Sequence, residues 1–98
     1  MIRFIEKIVA KSKINNLYID LNEREYSIYM SLQNKRIGLN DAIAFYDDLH
    51  YDAEGEYKAL ARSYDFEKLG LEKNASDVVK AIEFIDYRKN SISQQKEF

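Results

Sequence analysis

The stretch LYIDLNEREYSIYMSL, residues 17–32, decides the fold, because it supports two incompatible readings. Counted by twos, Leu17, Ile19 and Leu21 alternate with Tyr18 and Asp20, and Tyr26, Ile28, Met30 and Leu32 alternate with Ser27, Tyr29 and Ser31. That pattern reads as two strands around an Asn-Glu-Arg-Glu turn. Counted by threes and fours, Leu21, Ile28 and Leu32 share one helical face, and Asp20 and Asn22 each precede a Glu by three residues, as a capping box requires.

The flanking sequence bears on the choice. Upstream, residues 2–14 place Ile2, Ile5, Ile8 and Val9 on one stripe with Glu6, Lys7, Lys11 and Lys13 off it, an amphipathic helix that "INN" at 14–16 is expected to end. Downstream, Gly38 in "KRIGL" offers a helix stop, with Lys35 and Arg36 at the negative end of the dipole and Leu39 following. An isolated two-stranded hairpin is only marginally stable without packing support. These points favour a helix. Against them stands the regular alternation of Tyr and Ile, which suits a half-buried strand.

From Asn40, a candidate cap, Ala42, Phe45, Tyr46, Leu49, Ala53, Tyr57, Leu60, Ala61 and Tyr64 recur at helical intervals. Gly55 lies inside this run and costs about 1 kcal/mol relative to Ala, so a break near "DAEG" is expected. Gly70 reads as a left-handed cap with apolar Leu71 after it. A last helix is expected from Ser76 through "DVVKAIEFIDYRK", with Val78, Ile82 and Ile85 as its stripe, followed by a loose tail over residues 91–98. The fold class expected is all-α, an antiparallel four-helix bundle, in one domain spanning residues 1–98. If residues 17–32 form a β-hairpin instead, the fold becomes α+β, with helices over one face of a small sheet.

Composition narrows the function. A hydrophobic share of 46% gives the chain enough apolar surface to offset its ordering entropy, so it should fold. The absence of Cys excludes disulfides and thiolate chemistry and fits a reducing, cytoplasmic setting. No apolar run approaches the roughly 18 residues of a membrane span. Arg3, Glu6 and Lys7 interrupt the N-terminal apolar pattern, so a signal peptide is not expected. Basic and acidic residues number 7 and 4 over residues 1–40, 2 and 8 over 41–67, and 6 and 5 over 68–98. The middle is acidic, and no basic stripe suited to nucleic acid appears.

The one cluster with chemical potential is "YDDLHYDAEGE", where Asp47, His50 and Glu54 fall at i, i+3 and i+7. Helical bundles build metal sites from inward Glu and His, but convergent ligands from a second helix are needed, and Asp77, Glu83 and Asp86 bring no second His. No metal or cofactor is expected. No serine near a glycine-flanked turn accompanies the lone His50, and there is no glycine-rich phosphate loop, so no enzymatic activity is expected.

The eight tyrosines are more informative, because Tyr buries an apolar ring while its hydroxyl stays wet, which suits core margins and protein interfaces. The spacing places Tyr46, Tyr57 and Tyr64 at the core edge. It makes Tyr51, with Asp48, Asp52 and Glu54, a candidate acidic and aromatic contact surface for a basic protein.

A cysteine-free chain of this size with helices across residues 2–90 resembles bacteriocin immunity proteins of the enterocin A type, which are cytoplasmic antiparallel four-helix bundles. The resemblance implies protection of a producer cell by contact with a toxin-bound membrane receptor from the cytoplasmic side, with the C-terminal part setting specificity. A competing expectation is an inhibitor or adaptor from a phage or mobile element, binding a basic host surface through residues 41–67. A third is a homodimer in which residues 17–32 pair with their copy.

Overall fold

The computed structural model describes residues 2–96. It contains three helices, α1 (Ile2–Gln33), α2 (Leu39–Ser63) and α3 (Glu72–Lys96), and no strand among the described residues. The short connections 34–38 and 64–71 turn the chain back on itself twice, so α2 runs antiparallel to the other two, and every pair of helices is in contact. The molecule is a rod of 56 × 20 × 17 Å.

The expected four-helix layout is therefore corrected to three helices, because residues 17–32 continue the first helix instead of starting a second. "INN" does not end α1. Ile14 and Leu17 are buried on either side of the two asparagines, and the Asn74 side-chain amide of α3 donates to Asn15 Oδ1 at 2.9 Å. Packing thus offsets the weak helix propensity of Asn. Asp20, an expected cap, lies mid-helix and pairs with Arg24 one turn on at 3.5 Å.

The hairpin alternative is set aside by the same helix, and its alternation has a geometric explanation. Two residues advance about 200° around a helix, so residues alternating by twos fall on nearly opposite sides. Leu17 and Leu21 are buried and Ile28 and Leu32 pack against the core, whereas Ile19 and Tyr26 face solvent. The helix is apolar on two sides. The upstream stripe divides likewise: the buried side of α1 is Ala10 and Ile14, and Ile5, Ile8 and Val9 are exposed.

Helix α1 ends in a Schellman arrangement, with the Arg36 amide donating to Ser31 O at 2.9 Å and the Lys35 amide to Leu32 O at 3.1 Å. The left-handed residue there is Lys35, at φ 59°, and Gly38 instead precedes α2 in an extended conformation. The connection 64–71 contains a single capped turn. Asp65 Oδ1 accepts the Lys68 amide, and Gly70, at φ 69°, closes it, as its place before Leu71 predicted. This turn seats Leu69 and Leu71 against Ala10 of α1, a second small core at the end of the rod.

The main core joins Ile14, Leu17 and Leu21 to Tyr46, Leu49 and Ala53 and to Val78, Ala81, Ile82, Ile85 and Ile92. Each large aliphatic buried here contributes roughly 1.5–3 kcal/mol. The expected stripe of α3 is in place, but the helix starts at Glu72, before Ser76, and extends beyond Asn90. Residues 91–96, expected in a loose tail, are helical because Ile92 continues the Val78–Ile85 stripe into the core; residues 97 and 98 lie outside the described residues.

Helix α2 passes through Gly55 without a break, since its buried side, Ala42, Tyr46, Leu49 and Ala53, anchors the segment before it and Tyr57 and Leu60 the segment after. A methyl group built on Gly55 meets no atom within 4 Å. Gly55→Ala is therefore expected to stabilise the protein by about 1 kcal/mol, read as a higher urea midpoint. A lower midpoint would contradict a continuous helix at this position.

Candidate functional site

Three side chains, one from each helix, meet in the half of the rod where α1 and α3 end and α2 begins. Glu25 of α1 is buried, and its Oε1 accepts from Arg88 Nε of α3 at 2.9 Å. The Tyr46 hydroxyl of α2 donates toward the same Oε1 and toward the Glu25 carbonyl oxygen, both at 3.3 Å. The Arg88 guanidinium carbon lies 3.9 Å from the centre of the Tyr29 ring and 4.9 Å from that of Phe84, so aromatic faces cover the cation as the carboxylate neutralises it. The local reason is spacing: Glu25 occupies the core stripe of α1 between Leu21 and Ile28, where an apolar residue would be expected.

Chemically this cluster is closed. Tyr46 is fully buried, and no described buried side-chain nitrogen or oxygen lacks a hydrogen-bond partner. The Tyr46 hydroxyl is held well above the ordinary tyrosine value, chiefly by burial and next by the neighbouring Glu25 carboxylate. Such a group holds its proton and has no approach for a substrate. It ties helices together.

The acidic segment distributes its charges around α2. Asp48 and Tyr51 stand side by side on the outward face, Tyr51 being 80% exposed. Asp52 lies at the flank toward α1, where its Oδ2 accepts from Arg24 at 3.2 Å. Glu54 lies on the opposite flank, toward α3, within 3.4 Å of His50 Nε2. Of the four expected contact residues, Asp48 and Asp52 lie toward α1, Glu54 lies toward α3, and Tyr51 stands between them on the outward face.

Asp47, the first member of the possible metal trio, accepts from Lys89 of α3 at 3.1 Å. Among the described residues no three His, Asp or Glu side chains are grouped to hold a metal ion. A groove of about 360 Å³ between α2 and α3 is bordered by His50, Glu54, Lys58, Glu83 and Asp86 over a floor of Tyr57, Val79 and Ile82. It has a polar, titratable rim over an apolar floor.

Sequence reasoning missed Glu25 and Arg88. A charge in a core stripe is a legible signal for Glu25, but its role needs Arg88 sixty-three residues away, and nothing in the sequence pairs them. Tyr46, placed by spacing at the core edge, lies wholly inside; Tyr57 and Tyr64 are half-buried against the two cores. The chain matches no protein-family model, no curated protein and no solved structure with which it was compared.

Because the folded Tyr46 holds its proton above the ordinary value near 10, the unfolded chain releases it first as pH rises. Stability present below about pH 10 is then lost above it. Wild type should lose stability more steeply between pH 9 and pH 11 than Tyr46→Phe, compared by denaturant midpoints; parallel curves would show that Tyr46 is not the buried, bonded hydroxyl described.

Proposed function

We propose that the chain acts by binding another protein, without catalysis, and that the outward face of α2 is its contact surface. The observation that supports this reading is the pairing of Tyr51, almost fully exposed, with Asp48, which meets no cation among the described residues. An exposed aromatic beside unpaired negative charge suits a basic protein surface, where the ring supplies buried area and the carboxylate supplies orientation. Of the possible metal trio, His50 pairs with Glu54 and Asp47 with Lys89, and the buried Glu25 pairs with Arg88.

Within that reading, an inhibitor or adaptor directed at a basic host protein is favoured by the position of Asp48 and Tyr51. The narrower role of a bacteriocin immunity protein in the cytoplasm draws on size and helical character, and among the described residues no helix is long and apolar enough to cross a membrane. Three helices depart from that family's four, which leaves the resemblance without its helix layout. Protection of a sensitive strain by the expressed chain would favour immunity.

The surface itself is tested by affinity capture from the source cells. Asp48→Lys combined with Tyr51→Ala is expected to reduce recovery of the partner at least tenfold with an unchanged far-ultraviolet spectrum, since both residues are exposed. Undiminished recovery would rule out this face as the contact.

A further inference from the structure

The groove of about 360 Å³ between α2 and α3 has an apolar floor made by Tyr57, Val79 and Ile82. His50, Glu54 and Lys58 form its α2 bank, and Glu83 and Asp86 its α3 bank. On each helix these residues recur at intervals of three and four, so both banks are straight, and from His50 to Lys58 the groove extends about 12 Å, roughly two helical turns. Tyr57 and Val79 are only half-buried, which leaves the floor in contact with water.

The two banks differ in charge. On α2, Glu54 is shared by its neighbours, with Oε1 3.4 Å from His50 Nε2 and Oε2 4.0 Å from Lys58 Nζ. On α3, Glu83 meets no cation among the described residues, although exposed Lys80 stands about one turn before it. The Asn90 side-chain amide donates to Asp86 Oδ2 at 3.5 Å, and Lys89 and Arg88 are held by Asp47 and Glu25. Three carboxylates therefore border the groove against one ammonium, and the two that lack a cation share the α3 bank.

Shape and charge together select the occupant. Both walls are helices whose backbone groups bond within the helix, so an extended peptide finds no edge to pair with. A helix needs none, and a straight groove two turns long takes an apolar stripe at i, i+3 or i+4, and i+7. Lysine or arginine beside that stripe meets Glu83 and Asp86, whereas acidic residues in the same place are repelled. A small ligand fits less well, because such sites enclose most of the ligand and this groove is open.

We propose that the groove between α2 and α3 receives an amphipathic helix of a basic partner protein, its apolar stripe on Tyr57, Val79 and Ile82 and its cationic flank along Glu83 and Asp86. The proposal deepens the reading above, and rests on it for the partner being a protein. Glu54, on the rim, stands three residues beyond Tyr51, so one partner reaches both the groove and the outward face of α2. A contact two turns long is smaller than a stable interface, so the groove alone binds with a Kd on the order of 100 μM, weakened further by salt.

NMR titration of the isotope-labelled full chain with a capped peptide of about 15 residues, leucine at helical spacing and lysine elsewhere, tests the groove directly. The largest amide shifts are expected at Tyr57, Val79, Ile82 and Glu83. Glu83→Lys, at an exposed position, should weaken binding roughly fivefold with an unchanged helical spectrum, and the peptide with glutamate in place of lysine should bind roughly tenfold more weakly. No binding at about 1 mM peptide, equal affinity for both peptides, or shifts centred on exposed Ile5, Ile8 and Ile19 of α1 would overturn the proposal. Shifts confined to Asp48 and Tyr51 would overturn the groove and leave the outward face of α2 as the contact. Groove shifts beside undiminished partner capture by Asp48→Lys with Tyr51→Ala would support the groove and remove that face.

Discussion

A single carboxylate holds the three helices in register. Glu25 extends from α1 into a core that is otherwise apolar and there receives the Tyr46 hydroxyl from α2 and the Arg88 guanidinium from α3. The aliphatic contacts around it supply most of the driving force, but they are non-directional and tolerate one helix sliding along another. The contacts of Glu25 do not tolerate it. Moving α2 or α3 by one turn, about 5.4 Å, strands a buried carboxylate or a buried phenol, at several kcal/mol for the carboxylate. Arg88 is further confined between Tyr29 of α1 and Phe84, one turn back on its own helix, so the Tyr29 contact adds to the register of α1 against α3.

With the register set in this way, α1 has one side to spare. It is the longest helix, about 48 Å at 1.5 Å per residue, and its core face needs only Ala10, Ile14, Leu17, Leu21, Ile28 and Leu32. The opposite side still carries Ile5, Ile8, Ile19 and Tyr26. A helix apolar on both sides of its axis produces in sequence the same two-residue alternation as a half-buried strand. The alternation in residues 17–32 thus reports a helix with two apolar faces, and only one of these is satisfied within the chain.

Much of α2 and α3 was legible because their core stripes are unbroken: Ala42, Tyr46, Leu49 and Ala53 on one, Val78, Ile82 and Ile85 on the other. Gly70 declared its left-handed conformation by its place before Leu71. Local rules failed where tertiary contacts override them. Asn15 weakens a helix in isolation but here bonds Asn74; Gly55 is carried by the buried residues around it; Ile92 extends α3 through what reads as a polar tail. Lys35, not Gly38, takes the left-handed turn, which no propensity rule selects. Of the candidate contact site, the exposure of Tyr51 and Asp48 and the angular spread to Glu54 follow from helical spacing, whereas which flank meets α1 and which meets α3 depends on how α2 is rotated in the bundle.

The measurement that addresses this account most directly is a double-mutant cycle on Glu25 and Arg88, using Glu25→Gln, Arg88→Met and the double variant, with unfolding free energies from urea titration at neutral pH. If the pair fixes the register of the bundle, each single change should cost about 3 kcal/mol, and the double variant should recover about 2 kcal/mol of the summed loss. Additive losses, with a coupling below about 0.5 kcal/mol, would contradict it.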